Sequence, residues 1–476
     1  MRKLIVLTLA ALGLLLVASA APALASPKTF SVHPSGGDDT RAIQAAFNAA
    51  VAAGPGSVVQ LGAGQFYTNT IFVQNFRGCF RGAGKGKTLI DTLQGLGSGQ
   101  PVVTVMPGVE PFPFLFGFSR GRVRVSAMTC NITATSPAAP WVDDGNATTA
   151  LDTVFLVTGN ASSAFRCVAF PADAGDEYGF NVAADITVQG WTQFNSSGQP
   201  IVLKPTGGRH SVSRCRFAGD EGVVAAGLTN GNLVVGGSPR GQNVFDMVGY
   251  GCVLFDNSHS QIRVSDNQMQ SSQGENVLLW QGWVAGFGGA LPALPAPHYL
   301  VTHNHILASG AAGGVWVEDD SPLLSKANRL RAVIAGNRFD LQNDGADAGI
   351  DGFFARGVWV VHNRFSGIGL AAVTLDAASY FSWMPSAPTS GWKLIGNDVG
   401  GLVASTDQGG PGAQIWLGPD ATHCLVVGGC KPTTVLDQGT DDTLINVTPV
   451  TDPPAAAATP MNALKQLKQL KGMMRP

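Results

Sequence analysis

Hydrophobic and polar positions along the chain repeat around a set of asparagines. Each asparagine has an apolar residue three positions before it and another two positions after it, as Ile334 and Phe339 flank Asn337. These apolar positions are five residues apart, and in one continuous strand an odd separation would put them on opposite faces. Because both read as core, we infer that the chain turns a corner at each asparagine. The asparagines of the set are Asn267, Asn304, Asn337, Asn363 and Asn397.

Successive asparagines of this set are 26 to 37 residues apart. A repeat of this size, built from short strands, predicts stacked supersecondary units. Asparagine suits a corner because it tolerates the left-handed backbone conformation, and stacked amides can satisfy one another in a ladder. The alternative is a set of ordinary turns between antiparallel strands, but the chain lacks regular two-residue hairpin signals.

This ladder resembles the right-handed parallel β-helix of the pectate-lyase-like superfamily, over roughly residues 30–450. The resemblance implies an all-β chain, wound as a single-stranded right-handed parallel β-helix with three short sheets around one apolar core. It also implies that substrate binds in a groove on the outside. The reaction stays open, since this fold hosts lyases, hydrolases, epimerases and non-catalytic proteins.

A second part of the resemblance lies near the N-terminus. An amphipathic helix is predicted over about residues 38–53, with Asp38 or Asp39 as its N-cap. Residues 54–67 then read as turn, strand, turn and strand, which is similar to the opening of rhamnogalacturonase/epimerase-type domains. Gly62-Ala63-Gly64 departs from the Pro-containing turn that such sequences often carry. We expect the helix to cover the open end of the first coil, with its acids as caps rather than catalysts.

Composition agrees with one long solenoid. Only 13% of the 476 residues are charged, 45% are hydrophobic and 61 are glycine, as a buried parallel solenoid requires. We assign residues 26–452 to one β-helix domain and residues 453–476 to a Pro/Ala linker with a short basic helix, which either caps the C-terminal end or is a loose tail. The net charge of −2 and the lack of a basic stripe argue against nucleic acid as partner.

Residues 1–25 read as a signal peptide. A basic start precedes an apolar run from Leu4 to Ala20, and Ala23-Leu24-Ala25 is an A-x-A cleavage site. No later stretch is long and apolar enough to span a bilayer. We therefore expect a secreted, extracellular protein, or a periplasmic one if the source is a Gram-negative bacterium. The oligomeric state stays open.

The chain has seven cysteines, and an odd number cannot all pair within one chain. Cys130, Cys167 and Cys215 occur in similar contexts, and we expect them to take the asparagine position in earlier coils. Cys424 and Cys430 are close enough to close a small loop and are the first candidate for a disulfide. No cysteine or histidine spacing indicates zinc.

The strands that follow the corners align into two rows of alternate residues. Val277, Val315 and Val373 point inward in this alignment, so their neighbours point outward. We expect both rows to be exposed on one outer face that mixes carboxylates with aromatic rings. The first row contains Leu278, Trp316, Asp351, Thr374 and Trp416, and the second contains Trp280, Glu318, Phe353 and Asp376.

The carboxylates of these rows are the candidate catalytic residues: Glu318, Asp351 and Asp376. With coils about 4.8 Å apart, Glu318 and Asp376 would be roughly 9–10 Å apart, with Asp351 diagonally between them. Paired carboxylates at about 6.5–9.5 Å suit inverting glycoside hydrolysis. The alternative is a solvated face on which the tryptophans cover insertions.

Aromatic and basic residues complete the predicted site. We expect Trp280, Trp316 and Trp416 to stack on sugar rings. Basic side chains on neighbouring coils would contact the carboxylates of an acidic polysaccharide. These are His305, Arg338 and Arg364.

Two family comparisons limit the assignment of a reaction. The chain lacks the paired Asp-Asp and Gly-His-Gly motifs of polygalacturonases, and it shows no clear calcium-ligand cluster like that of pectate lyases. Asp319 and Asp320 beside Glu318 leave calcium open as a cofactor. His303 and His362 directly precede ladder asparagines and read as structural. Two functions are therefore predicted: cleavage of an acidic polysaccharide by hydrolysis or uronate β-elimination, or non-catalytic glycan binding by a surface or adhesive protein.

Overall fold

In the computed structural model of the protein, short strands stack coil upon coil. The predicted signal peptide (1–25) and C-terminal tail (453–476) lie outside the described residues. The structure describes residues 27–93, 114–133, 139–144, 147–158, 166–170, 182–183, 186–188, 192–195, 199–203, 206–218, 221–226, 229–237, 242–248, 251–256, 259–271, 274–281, 298–309, 313–319, 330–342, 347–375, 388–406 and 412–450.

The strands fall into three sets, which we call sheets 1, 2 and 3. Sheet 1 precedes the corners and contains β1 (Thr29–Val32), β2 (Val58–Leu61), β5 (Arg77–Arg81), β8 (Arg122–Thr133), β10 (Ala147–Thr158), β12 (Val182–Ala183), β13 (Ile186–Val188), β16 (Thr206–Val212), β19 (Thr229–Gly236), β22 (His259–Ser265), β25 (His298–Thr302), β28 (Arg331–Ala335), β31 (Trp359–Val361), β35 (Lys393–Ala404), β38 (Leu425–Gly428) and β40 (Thr443–Ile445). Sheet 2 follows the corners and contains β3 (Gly64–Thr68), β6 (Thr88–Thr92), β14 (Thr192–Asn195), β17 (Cys215–Ala218), β20 (Val244–Val248), β23 (Gln268–Ser271), β26 (His305–Ser309), β29 (Arg338–Gln342) and β32 (Arg364–Gly369). Sheet 3 contains β4 (Ile71–Gln74), β7 (Phe114–Ser119), β9 (Ala139–Asp144), β11 (Arg166–Phe170), β15 (Gln199–Leu203), β18 (Glu221–Ala226), β21 (Gly251–Asp256), β24 (Val277–Gln281), β27 (Val315–Asp319), β30 (Ile350–Phe353), β33 (Val373–Leu375), β36 (Ile415–Leu417), β39 (Thr434–Asp437) and β41 (Thr448–Val450). A small separate pair joins β34 (Thr389–Ser390) to β37 (Ala421–Thr422).

The pairing of these strands is parallel throughout the described residues. In each sheet a strand pairs with the corresponding strand of the next coil, as β25 does with β28, β26 with β29, and β27 with β30. Strands β8, β10 and β35 continue through the corner and pair in both sheet 1 and sheet 2. The predicted fold class, an all-β parallel β-helix with an N-terminal helix, is confirmed.

One hydrophobic core runs along the inside of the coils, from Val32 to Val435. Equivalent side chains of successive coils stack on one another, as the rings of Phe339 and Phe365 do at 4.6 Å and 7°. Burial of such apolar surface at about 25 cal/mol per Å² is the main favourable term in folding. Each coil buries this surface only against its neighbouring coils, so the stability of the β-helix depends on contacts between coils along its axis.

The predicted asparagine ladder is present inside the corners. Each side-chain amide except that of Asn397, the last of the set, donates to the Oδ1 of the next asparagine at 2.9–3.1 Å. It also donates to a main-chain carbonyl of the preceding coil, as Asn337 Nδ2 does to Val301 O. Asn243 is a further member, since its amide bonds to Asn267. These buried amides are therefore satisfied by one another and by the backbone.

The left-handed backbone conformation at the corners was predicted for the asparagine, but another residue adopts it. At every ladder asparagine except Asn243, it is the residue directly before the asparagine, and not the asparagine itself. The asparagine instead turns its amide into the core, where the ladder bonds hold it. His303 and His362, predicted to be structural, occupy this left-handed position with exposed side chains. The residues concerned have φ values of 46° to 64°: Ala127, Asp152, Arg214, Asp266, His303, Gly336, His362 and Gly396.

Only one of the three cysteines expected at the ladder position is found there. Cys215 continues the ladder, because its backbone N–H donates to Asn243 Oδ1 at 2.9 Å. Cys130 is buried but pairs with Phe155, two positions beyond the corner. Cys167 lies on β11 in sheet 3. Similar local sequence therefore predicted burial of Cys130 but not its place in the coil.

The predicted disulfide between Cys424 and Cys430 is not formed, and both cysteines are free. Cys424 is buried at a corner, where its Sγ donates to Thr422 O, whereas Cys430 is exposed. Burial raises the pKa of the Cys424 thiol to about 12. Closeness in sequence did not bring the two sulfurs together because one faces the core and the other faces solvent.

Helix α1 (Thr40–Ala53) covers the first coil, as expected. Its buried face inserts Phe47 among Phe76, Phe80 and Phe118, with ring centroids 4.9–5.5 Å apart. Asp39 stands at the N-cap position without capping the helix; its carboxylate accepts from backbone N–H groups of neighbouring segments instead. Within the described residues, no helix is long and apolar enough to cross a bilayer.

Deletion of residues 26–53 is expected to cause aggregation. The deletion would uncover Phe76, Phe80 and Phe118, and it would leave the paired edge of β2 open to other chains. Size-exclusion chromatography and thermal unfolding of the truncated protein check this. The matched control is Asn48→Ala on the exposed face of α1, which should stay soluble. A monomeric truncation with the parent's unfolding midpoint would contradict the capping role.

Candidate functional site

The two predicted rows exist in sheet 3. In the first row, Leu278, Trp316, Asp351, Thr374 and Trp416 are partners on successive strands. In the second row, Trp280, Glu318 and Phe353 are partners. We call these side chains the acid–aromatic face. Asp376, which was predicted to continue the second row, lies outside the described residues.

The predicted exposure of this face is wrong. Glu318 and Asp351 are 1% and 2% exposed, and Trp280, Trp316 and Trp416 are 2%, 4% and 8% exposed. The rings pack on their neighbours, as Trp316 does on Phe353 at 4.3 Å between centroids. The alternation of a strand indicates the side of the sheet on which a residue lies, but not what packs against that side.

Carboxylates of sheet 3 have partners within the protein. Glu318 Oε2 accepts a hydrogen bond from Trp316 Nε1 at 2.9 Å. Asp319 Oδ2 accepts from the backbone N–H of Leu330 at 3.0 Å. Trp416 Nε1 donates to Gln438 Oε1 at 3.2 Å. Each indole N–H named here is thus engaged with a polar oxygen, as buried polar groups require.

Two acids that the sequence interpretation missed lie beside Asp351. Glu275 and Asp347 are 4% and 5% exposed, and each stands just before a strand of sheet 3. Gly313 separates them: a Cβ at Gly313 would lie 3.5 Å from Glu275 Cγ and 3.7 Å from Asp347 Cβ. We call Glu275, Asp347 and Asp351 the carboxyl cluster.

Burial makes this cluster hard to ionise. It raises the pKa of Asp351 to about 8, with a further contribution from Glu275, while Thr374 and the Ala348 backbone act in the opposite direction. Burial raises the pKa of Glu275 to about 7. Burial, together with Glu275 and Asp351, also raises the pKa of Asp347 well above its ordinary value. Asp351 is therefore mostly protonated at neutral pH.

The predicted basic residues lie on another sheet. His305, Arg338 and Arg364 are register partners in sheet 2, so the structure aligns them with one another and not with the rows of sheet 3. Asp340, a residue without a role in the prediction, binds two of them: its Oδ2 lies 2.7 Å from His305 Nε2 and 2.9 Å from an Arg338 guanidinium nitrogen. Partial burial of Asp340 is outweighed by its contacts with Ser366, His305 and Arg338, which lower its pKa.

A calcium site is not evident in the described part of the chain. There, no group of three or more histidine, cysteine, aspartate or glutamate side chains is arranged to hold a metal ion. Asp319 is buried and bound to the Leu330 backbone, and Asp320 lies outside the described residues. Within the described residues, Glu318 and Asp319 are thus not brought together with a third metal-ligating side chain.

Comparison with solved structures finds similarity of fold at low sequence identity. The A-module of mannuronan C-5 epimerase AlgE6 from Azotobacter vinelandii is 16% identical, with 87% of this chain and 96% of that chain covered and a TM-score of 0.39. The surface protein and adhesin PfbA of Streptococcus pneumoniae is 10% identical, with 88% and 98% covered and a TM-score of 0.39. The Family 28 exopolygalacturonase of Yersinia enterocolitica is 12% identical, with 90% and 79% covered and a TM-score of 0.32. No protein-family model and no curated protein matches the chain.

Proposed function

We propose that the protein is an exported polysaccharide hydrolase that uses the acid–aromatic face, with Asp351 as general acid and Glu318 as general base. The observation that carries this proposal is a pair of neighbouring carboxyl groups on one face of sheet 3, one of which keeps its proton at neutral pH. Asp351 holds its proton to about pH 8, whereas Glu318 accepts a hydrogen bond from Trp316. A carboxyl group that keeps its proton at neutral pH can act as a general acid toward a leaving oxygen.

The spacing of the pair supports hydrolysis. Glu318 and Asp351 lie on adjacent strands of sheet 3, offset by two residues, and their side chains are on the same face. Strand spacing and rise place their Cα atoms about 8 Å apart. A Cα separation of this size is compatible with the carboxyl separation of about 6.5–9.5 Å that leaves room for water in inverting glycosidases. The protonated acid would protonate the leaving oxygen while the carboxylate activates water.

Hydrolysis is favoured over uronate β-elimination by the position of the cations. Elimination needs a positive group at the substrate carboxylate next to the base. The arginines predicted for that role, Arg338 and Arg364, are on sheet 2, and Arg338 is already bound to Asp340. The acid–aromatic face, in contrast, offers the two carboxyl groups that hydrolysis requires.

Loss of activity in conservative variants is the test of this proposal. A reducing-sugar assay, with an absorbance scan for unsaturated uronate, is run on a panel of acidic and neutral polysaccharides. Glu318→Gln and Asp351→Asn should each lower turnover by roughly 10²-fold or more, the usual contribution of a general acid or base. The amide introduced by Glu318→Gln retains an oxygen that can accept from Trp316 Nε1, so folding should be kept.

The matched control is Asp398→Asn, a carboxylate on sheet 2 that contacts Lys431 at the surface; it should keep full activity. Parental turnover in both Glu318→Gln and Asp351→Asn would overturn the assignment of the acid and the base. An unsaturated product instead of new reducing ends alone would replace hydrolysis by elimination.

A second candidate function is non-catalytic glycan binding, and the burial of the acids favours it. Glu318 and Asp351 are 1% and 2% exposed, so in this structure neither meets solvent. A protein of this kind would retain polysaccharide in a pull-down or affinity gel without releasing any product. Retention with no product over the whole panel would favour the binder, and product formation would exclude it.

A further inference from the structure

An open groove of about 560 Å³ lies outside the acid–aromatic face. It is formed on the outer side of sheet 1, where β25, β28 and β31 pair, and by Ser390 and Gly391 before β35. Its volume is within the range of about 300–1,000 Å³ typical of small-ligand sites. The lining residues are His298, Leu330, Arg331, Ala332, Val333, Arg356, Gly357, Trp359, Ser390 and Gly391.

The charge of this groove has one sign. Arg331, Arg356 and His298 line it, and none of the described residues that form its lining is a carboxylate. Arg331 and His298 are register partners at the start of neighbouring strands, so their side chains leave the sheet side by side. Arg356 is held beside Ser390 by a parallel bridge. A low-dielectric wall lined by one sign of charge concentrates ions of the opposite sign.

These basic groups have no protein counter-ion among the described residues. The ion pairs found there do not include Arg331, Arg356 or His298. The Nε of Arg356 is buried and has no hydrogen-bond partner in the described part of the chain. A buried donor without an acceptor is unfavourable, so an acceptor supplied by a ligand would be stabilising here. On sheet 2, in contrast, Arg338 and His305 share Asp340.

An aromatic platform borders the basic groups. Trp359 is 44% exposed, which is unusual in a protein whose other described tryptophans are buried. Lys393 Nζ lies 4.5 Å from its ring centroid, which orients the indole and adds another positive charge. Gly357 leaves the neighbouring surface open, since a Cβ there would meet nothing within 4 Å. Indole faces stack on the apolar faces of sugar rings.

We propose that this groove binds the anionic sugar units of an acidic polysaccharide, at a site separate from the acid–aromatic face. Guanidinium groups match planar carboxylates, and Trp359 supplies the sugar-stacking surface. Four strands of sheet 1 span about 14 Å, so the groove contacts a chain rather than a single ion. Nucleic acid is disfavoured, because the net charge of the chain is −2 and the chain has no extended basic stripe.

Binding by the full chain tests the proposal. Isothermal titration measures affinity for polygalacturonate, for dextran sulfate and for neutral dextran. The affinities for the first two polymers tell whether the groove prefers carboxylate or sulfate groups. The double variant Arg331→Gln/Trp359→Ala should bind the anionic polymer about tenfold more weakly or worse. Both side chains are solvent-accessible, so its unfolding midpoint should match the parent's.

A matched control separates this site from general charge effects. Arg77→Gln removes an exposed charge from β5 near the N-terminal end and should leave the affinity unchanged. The hydrolase proposal is tested by turnover and this one by affinity, so a failure of one is distinguishable from a failure of the other. Parental affinity in the double variant would overturn the site. Equal binding of neutral dextran, or single-stranded DNA binding of similar affinity at physiological salt, would overturn the ligand class.

Discussion

Replacement of Asn337 by leucine is expected to destabilise the β-helix by several kcal/mol. Asn337 Oδ1 accepts from the backbone N–H and the amide of Asn304, and its own amide donates to Val301 O and to Asn363 Oδ1. Leucine supplies none of these groups. Each buried group left without a partner costs about 1–3 kcal/mol, and the added apolar volume cannot offset several of them.

Urea unfolding followed by circular dichroism measures this effect. The end of the ladder provides an internal comparison: Asn397 pairs with only one other ladder asparagine, Asn363. Asn397→Leu should therefore cost less than Asn337→Leu. An exposed asparagine, Asn48→Leu on α1, is the control for the chemical change and should leave the midpoint close to the parent's. Equal midpoints for all three variants would mean that the ladder does not stabilise the fold.

The ladder shows how far the sequence predicts this fold. Flanking apolar residues identified five asparagines because, in these five coils, two residues separate the last apolar residue of the strand from the asparagine. Asn243 escaped because its coil has a longer corner: Val235 is the register partner of Val264, yet Asn243 follows it by eight positions instead of three. An insertion of this kind removes the sequence pattern but keeps the asparagine at the same place in the coil.

The left-handed corner residue was misplaced for a related reason. Histidine, aspartate and arginine occupy it as well as glycine, so residue type carries little information about that position. Its conformation is imposed by the stacked coils on both sides, which over-determine the backbone. The asparagine is the recognisable residue because its amide fits a specific hydrogen-bonding place.

The candidate site was predicted in part. Strand alternation aligned Trp316 with Asp351 and Trp280 with Glu318, because register follows from the ladder. It did not predict that these residues are buried, since alternation carries no information about what packs against a face of the sheet. Glu275 and Asp347 lie before their strands, where the sequence has no alternation that would predict the side of the sheet on which they lie. Trp359 and Arg331 lie on a sheet that the sequence interpretation treated only as structure.

Thermal stability is expected to fall as the pH is raised from about 5 to about 8. Carboxyl groups of the unfolded chain lose their protons near pH 4. In the folded protein, burial raises the pKa of Glu275 to about 7 and that of Asp351 to about 8. Between these limits the folded state holds protons that the unfolded state has released. Stability contributed by these protons is complete below about pH 4 and is lost as the pH rises through the folded pKa values.

Each unit of pKa difference corresponds to about 1.4 kcal/mol, so the carboxyl cluster should change the free energy of unfolding by several kcal/mol over this window. Differential scanning calorimetry at pH 5, 6, 7 and 8 measures the slope. Asp351→Asn should flatten it, because an amide cannot ionise and resembles the protonated acid. Asp340→Asn is the control: the pKa of Asp340 is lowered, so its titration lies below the window and the slope should persist. An unchanged slope in Asp351→Asn together with Glu275→Gln would mean that these carboxyl groups ionise as readily in the folded protein as in the unfolded chain.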